Sequence, residues 1–588
     1  MRTTKRHATF QPSVLAIAIA LGCVAPVQAV TFNFGEVEAQ FDSSLSVGAS
    51  WSVRDADRDF ISTASGGQAS SRTSDDGRLN FEKGKTFSKI FKGIHDLELK
   101  YGDTGIFIRG KYWYDFETKD EGREFYDIQD NNRKTAAQSS GAQILDAFIY
   151  HNYNLGSLPG SVRVGKQVVS WGESTFIANS INSINPVDVA AFRRPGAEIK
   201  EGLIPVNMLY VSQSLTDTLS MEAFYQLEWD QTVVDNCGTF FSSADVLADG
   251  CEDRLAVFGP DLPPGVSKNT FVDNAYIPRA GDRDARDSGQ YGIALRWFAE
   301  SLNDTEFGAY AMNYHSRGPV FSTIRTTTPN FATFIPGAPN ARYFLEYPED
   351  IRLYGLSFQT NVSGTALSGE VSYRPNMPLQ INSTDLSFGA LGLPFSPVFQ
   401  SGHARNVAGA DLHGYDRRAV TQAQMSAVHF IDRVLGASRL TLLGEAGYNH
   451  VAGISDDVGE LRFGRDPIYG PGQYSAPGVC AAFNAANPDE CQGEGFFTST
   501  SWGYRLRASL DYSNVFAGVN LSPSVAWSHD VDGYGPNFSE GNKAVSIGLN
   551  ADYQNSYTAS LSYTDFFGGD YNTTTDRDFV ALSFGVNF

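Results

Sequence analysis

Arg577 to Phe588 reads RDFVALSFGVNF, and this closing stretch decides the fold. Val580, Leu582, Phe584, Val586 and Phe588 share one parity, while Ala581, Ser583, Gly585 and Asn587 share the other; Phe579 is the bulky exception. Successive side chains of a strand point to opposite faces, so one face here is greasy and the other small and polar. A soluble sandwich turns such a greasy face inward, whereas a membrane barrel turns it outward to lipid. The rest of the chain chooses between them.

Working back from this stretch, the pattern recurs. Tyr557, Ala559, Leu561 and Tyr563 alternate with Thr558, Ser560, Ser562 and Thr564; Val545, Ile547, Leu549, Ala551 and Tyr553 alternate with Ser546, Gly548, Asn550 and Asp552. Trp502, Tyr504, Leu506, Ala508, Leu510 and Tyr512 alternate with Gly503, Arg505, Arg507, Ser509 and Asp511. Strands are expected near 37–53, 95–101, 104–117, 142–154, 161–171, 205–214, 218–231, 289–299 and 304–317. Nine more follow near 351–361, 365–375, 417–433, 438–452, 501–512, 515–531, 543–553, 557–567 and 577–588. Aromatics favour the ends of the apolar faces, where interfacial girdles belong. The opposite faces carry charges of both signs, which suit a wet lumen: Arg109, Lys111, Arg163, Glu222, Arg296, Glu370, Arg374, Glu445, Arg505 and Arg507.

The connections give an independent test. Short ones such as Gly102-Asp103 and Ser513-Asn514 alternate with long ones such as 54–94, 172–204, 232–288, 376–416 and 453–500. Outer-membrane barrels have short periplasmic turns, long outer loops and an even strand number. The expectation is therefore an all-β fold, a closed transmembrane antiparallel barrel of about 18 strands, with 16 as the alternative; closure also removes the edges an open sheet would expose. No internal repeat and no separate soluble domain is visible.

At the other end, Arg2, Lys5 and Arg6 precede an apolar run from Val14 to Ala25 and then Val27-Gln28-Ala29. That order makes 1–29 a secretory signal peptide and 30–588 the barrel; the run is too short to span a bilayer. Its removal leaves 42 basic against 66 acidic residues, a net charge of −24. Such acidity argues against nucleic acid as a partner. Four cysteines remain, and an oxidising compartment favours Cys237–Cys251 and Cys480–Cys491 among three connectivities. Neither pair has metal-site spacing, so no metal and no cofactor is expected.

The segment Val164 to Tyr210 reads VGKQVVSWGESTFIANSINSINPVDVAAFRRPGAEIKEGLIPVNMLY. Asn185-Pro186 and Arg193-Arg194-Pro195-Gly196 break it. Phe176, Ile177, Ile181, Ile184, Val187, Val189 and Phe192 are too many apolar residues for a freely solvated loop. Loop 172–204 is thus a candidate constriction or plug, with Trp171, Glu173, Phe176, Ile181, Asn185, Pro186, Phe192, Arg193 and Arg194 as its site residues; a packed outer cap is the alternative. Candidate lumen lining is Arg109, Arg163, Glu222, Glu370, Glu445, Arg505 and Arg507.

The phrases GKQVVSWGES, INPVDV, RRPGAE and P-V-x-M-L-Y, with the leader and the closing strand, resemble an uncharacterised family of Gram-negative outer-membrane proteins, catalogued as a domain of unknown function. The terminal Phe588 resembles the signal by which outer-membrane barrels are recognised for assembly. The resemblance implies a barrel in the cell outer membrane, surrounded by its lipid and lipopolysaccharide, inserted by the barrel assembly machinery and often encoded beside inner-membrane exporters of the resistance–nodulation–division type. It also implies movement of lipids or other hydrophobic compounds, and it brings no catalytic residues.

Enzyme signatures are missing: no His begins HExxH, and GxSxG does not occur. His529-Asp530 with Asp532 reads as structural, and the Asp55/Asp57/Asp59 and Asp282/Asp284/Asp287 sets as solvated loops. The leading expectation is a channel or transporter for hydrophobic or amphipathic solutes. A porin for small polar or anionic solutes, with Arg109, Arg163, Arg505 and Arg507 as a basic ladder, is the runner-up. A surface adhesion or structural barrel is the alternative of another class.

Overall fold

A computed structural model describes residues 30–251, 255–256, 277–327, 340–455, 457–483 and 486–588. The expected leader, 1–29, lies outside them.

Eighteen antiparallel strands run in sequence order around a closed wall. They are Val37–Ser52, Thr86–Tyr101, Thr104–Asp115, Ser140–Leu155, Leu158–Gln167, Val206–Ser214, Leu219–Gln226, Tyr291–Ala299 and Thr305–Tyr314, then Ile351–Val362, Thr365–Gln380, Tyr415–Asp432, Arg439–Val451, Thr500–Phe516, Val519–Asp532, Lys543–Tyr553, Tyr557–Phe567 and Phe579–Asn587. The last pairs with the first from Ser44↔Asn587 to Ser52↔Phe579, which closes the ring. The alternative of 16 strands is set aside. Closure pairs backbone donors and acceptors across the seam, as a sheet that spans a membrane requires.

Alternation does what the closing strand announced. Leu356, Leu506, Ile547, Leu561 and Phe584 are exposed on the outer surface. Ser583 on the inner face is buried. Register breaks at Ile108/Gly110 and Arg374/Met377 shift the alternation locally. A nineteenth strand, Val30–Phe34, pairs with the lower part of Val37–Ser52, below the point where Phe588 meets Ser43.

Several boundaries differ from expectation, among them the ends of the strands Leu219–Gln226 and Thr365–Gln380, and two of the differences bear on the inserted segment. The second strand begins at Thr86, so Lys89 to Ile94 belong to the wall and not to a loop 54–94. Its sequence TFSKIFKGIH is nearly as apolar on one face as on the other, because Ile90 and Ile94 face the packed lumen. The fifth strand ends at Gln167, so the inserted segment runs from 168 to 205.

The long loops build a cap over one rim. Strands Val320–Ile324, Arg342–Glu346 and Asp411–Leu412 form a small sheet. It packs with helix Ser383–Ala390 around Tyr343, Leu345, Leu386, Val398 and Leu412. Disulfides Cys237–Cys251 and Cys480–Cys491 close two cap loops, matching the local pairing.

Candidate functional site

The segment 168–205 enters the barrel and touches its wall on two opposite sides. On one side, acceptors in the wall take the loop's backbone donors. The Glu445 carboxylate accepts from Thr175 N at 3.0 Å, Phe176 N at 2.5 Å and Ile177 N at 2.9 Å. Glu370 accepts from Glu173 N, and from Ile181 N at 3.3 Å. Arg374 donates to the carbonyls of Asn179 at 2.6 Å and Ser180 at 2.5 Å and to Ser183 Oγ at 2.9 Å. An irregular backbone in a low-dielectric barrel must find partners, and these buried side chains supply them.

Beside these anchors the loop packs on apolar wall. Trp171 is 1% exposed; its indole N–H donates to Glu222 Oε2 at 2.7 Å, and its ring lies 5.1 Å from Phe224 and 5.9 Å from Tyr310. Ile181 and Ile184 join Met208, Tyr210, Met312 and Leu353 in one buried cluster. A Cβ on Gly355 would lie 2.8 Å from Ile181, so the glycine lets the loop approach the strand. Each large side chain so buried contributes about 1.5–3 kcal/mol.

On the other side the loop is clamped by lysines. Lys92 Nζ donates to Glu201 Oε1 at 2.6 Å and to Gly196 O at 2.7 Å. Lys111 Nζ donates to Asp188 Oδ2 at 2.8 Å and to Glu201 O at 2.9 Å. Asp188 also caps the helix Val189–Arg193 through Ala191 N at 3.0 Å. These ion pairs are fully buried, so removing one partner would cost about 3–5 kcal/mol. The small inner face of the seam strands admits the turn: a Cβ on Gly48 would lie 2.5 Å from Pro195.

The other sequence-predicted site residues are mostly structural. Asn185 accepts from Val169 N at 3.0 Å and donates to Ile204 O at 3.0 Å; Pro186 O accepts from Ile204 N at 2.8 Å. Together they close the loop's neck. Arg193 pairs with Asp235, and Arg194 lies over the Trp113 ring at 4.7 Å. Phe176 and Phe192 remain 40% and 43% exposed.

The lumen arginines do not form a free ladder. Arg109 pairs with Asp96 at 2.7 Å and Asp146 at 3.4 Å, and Arg505 with Asp530 at 2.7 Å. Arg163 lies 4.1 Å over the Tyr210 ring. Arg507 is exposed and has no ion pair among the described residues. His529 packs on Tyr504 and Trp527, while Asp530 is taken by Arg505.

Sequence reasoning missed Lys92, Asp188 and Glu201, and also Gln424, whose amide donates to Glu370 Oε1 at 3.1 Å and to Ile177 O at 3.4 Å. The signal for Lys92 was its parity within Thr86–Tyr101, once that strand is seen to start early. It also missed the buried trio Asp75, Asp76 and Asp245, whose carboxylates lie within 4.8 Å of one another. Arg78 and Arg577 lie in the same charged neighbourhood, held by Asp576.

Over residues 11–588 the chain matches the family model described as "Protein of unknown function (DUF1302)", and it belongs to that family. No curated protein matches. Among solved structures, the chain is similar to OccAB1 of Acinetobacter baumannii, at 9% identity and TM-score 0.39, covering 96% of this chain and 98% of that one. It is also similar to OpdK of Pseudomonas aeruginosa with vanillate, at 10% identity and TM-score 0.38, covering 93% and 98%. The outer-membrane channel DcaP of Acinetobacter baumannii matches at 10% identity and TM-score 0.35, covering 95% and 100%.

Proposed function

We propose that this member of the DUF1302 family is a channel or transporter of the Gram-negative outer membrane, in which the inserted segment 168–205 sets what passes. The carrying observation is that this segment is held by buried anchors on two opposite sides of the barrel, yet leaves Phe176, Phe192 and Ile199 exposed. Apolar groups kept exposed on a rigidly held loop inside a barrel suit a hydrophobic or amphipathic solute. Burial of such surface is favourable at about 25 cal/mol per Å², enough for transient holding without trapping.

Passage runs beside the loop, along Thr500–Phe567, whose inner face carries hydroxyls, amides and Arg507 and is tied to the segment at its rim, where Asn179 Nδ2 donates to Asn537 Oδ1 at 2.8 Å. This polar arc also supports a second reading, a porin for small polar solutes. The paired states of Arg109 and Arg505 speak against the anionic ladder form of it.

Deleting Phe176 to Ala197 tests both. Strand pairing does not need the loop, and shortening a long loop has a modest entropic cost. Single-channel conductance should rise in planar bilayers, and cells should become leakier to small polar solutes while losing selective movement of the hydrophobic one. A properly assembled deletion with unchanged conductance would make the segment a structural brace only.

A further inference from the structure

Five long loops meet in the cap around a cavity of about 610 Å³. Its walls are largely apolar: Val246, Leu247, Pro319, Phe321 and Phe388 line it. The volume falls within the range of roughly 300–1,000 Å³ typical of sites for small organic ligands. Three charged side chains also line it, Arg72, Arg465 and Asp466.

Their states differ. Arg465 spends its guanidinium on carbonyls of Gln492 and Glu494, with Nη1–O of 2.7 Å to Gln492, and of Tyr469 at 2.6 Å from Nη2. Asp466 accepts from Ile468 N at 2.9 Å, and burial holds its carboxyl above the usual carboxylate range. The Nε of Arg72 and that of Arg465 are both buried without a hydrogen-bond partner, but Arg72 differs in that, among the described residues, its other nitrogens hold no carbonyl and no carboxylate is in ion-pair contact with it. Asp75 attracts it only through space. A partly buried guanidinium with no counter-ion carries a desolvation cost that a bound anion would offset. The cavity is thus apolar and net positive on a chain whose formal charge is −21.

We propose that this cavity is a capture site for an amphipathic monocarboxylate, with the carboxylate on Arg72 and the apolar body against Val246, Leu247, Phe321 and Phe388. The site deepens the channel reading by naming its substrate class, and it rests on that reading only for the onward route. Neutral hydrophobes fill the apolar wall but leave Arg72 unpaired, so they bind less well. Polar anions satisfy Arg72 but leave the apolar wall wet.

The test is equilibrium dialysis of radiolabelled dodecanoate against the full chain in amphipol, with dodecanol as the uncharged reference. The wild type should bind dodecanoate saturably, at roughly one equivalent per chain, and more tightly than dodecanol. Arg72→Gln should weaken dodecanoate binding by about tenfold or more and leave dodecanol unchanged, while Arg72→Lys recovers part of the loss. Leu247→Asp should weaken both ligands. Heat-modifiable migration on gels checks that each variant is assembled. Equal dodecanoate affinity in wild type and Arg72→Gln, no saturable binding, or dodecanol binding as well as dodecanoate would each overturn the site. If the loop deletion leaves conductance flat while Arg72-dependent binding persists, the cavity stands and the reading that segment 168–205 sets what passes falls.

Discussion

Two arcs of the same barrel wall present opposite inner faces. From Val206 to Gln380 the wall turns Met208, Phe224, Tyr310, Met312 and Leu353 inward, and all are buried against the inserted segment or one another. From Thr500 to Phe567 it turns Ser509, Ser524, Asn550, Ser560 and Thr564 inward, and these are half-buried or exposed. Neighbouring hydroxyls there satisfy each other, as Thr564 Oγ1 does to Ser546 Oγ at 3.0 Å. The outer faces of the two arcs are alike, with Leu356 and Ile293 on one and Leu506 and Ile547 on the other. The outward composition is therefore apolar on both arcs, as a lipid-facing surface requires, while the inward composition depends on whether protein or water lies opposite.

The largest expected break in that comparison is a charge on the packed inner face. Ala294 is fully buried, and Ala294→Arg would overpack the cluster and bury an unpaired charge; heat-modifiable assembly should be lost, at a cost of about 4 kcal/mol or more. Ser509→Arg on the open arc should assemble nearly as the wild type does. Equal loss at both sites would mean that the open arc is also packed.

Next in size is Leu506→Arg on the outward face of the open arc. It should cost about 2–4 kcal/mol in folding into bilayers if Leu506 lies near the midplane. Tolerance as good as that of Ser509→Arg would invert the two faces.

Glu445→Ala should cost about 1–3 kcal/mol, because three loop donors, that of Ile177 buried, lose their acceptor. The barrel should still assemble, with more frequent open events in single-channel records than in the wild type. Records indistinguishable from wild type would show that the apolar cluster alone holds the segment.

The smallest effect is one of selectivity. Arg507→Glu reverses an exposed, unpaired charge on the open arc and should shift the reversal potential toward cations in a salt gradient, more at low ionic strength than at high. The matching change at Arg109, whose charge is already met by Asp96 and Asp146, should disturb assembly before selectivity.

The amino-acid sequence by itself determined the strand number, the outward face and the alternation of short and long connections. These are local matters: a side chain's face follows from its parity, and a turn from the residues at it. It also pointed to the segment after Gln167, because too many apolar residues stood in an irregular stretch. Where parity was blurred it misled, as at Lys92, since a strand whose inner face packs on protein carries apolar residues such as Ile90 and Ile94 on that face too and loses its clean alternation. Only the tertiary structure decided that the segment turns into the barrel, which carboxylates hold its backbone and that Arg109 and Arg505 are paired while Arg507 and Arg72 have no ion pair among the described residues. Those outcomes depend on residues hundreds of positions apart, such as Phe176 and Glu445, meeting across a closed wall. No local pattern encodes which partner a charge will find, because closure of the barrel, not spacing along the chain, brings the partners together.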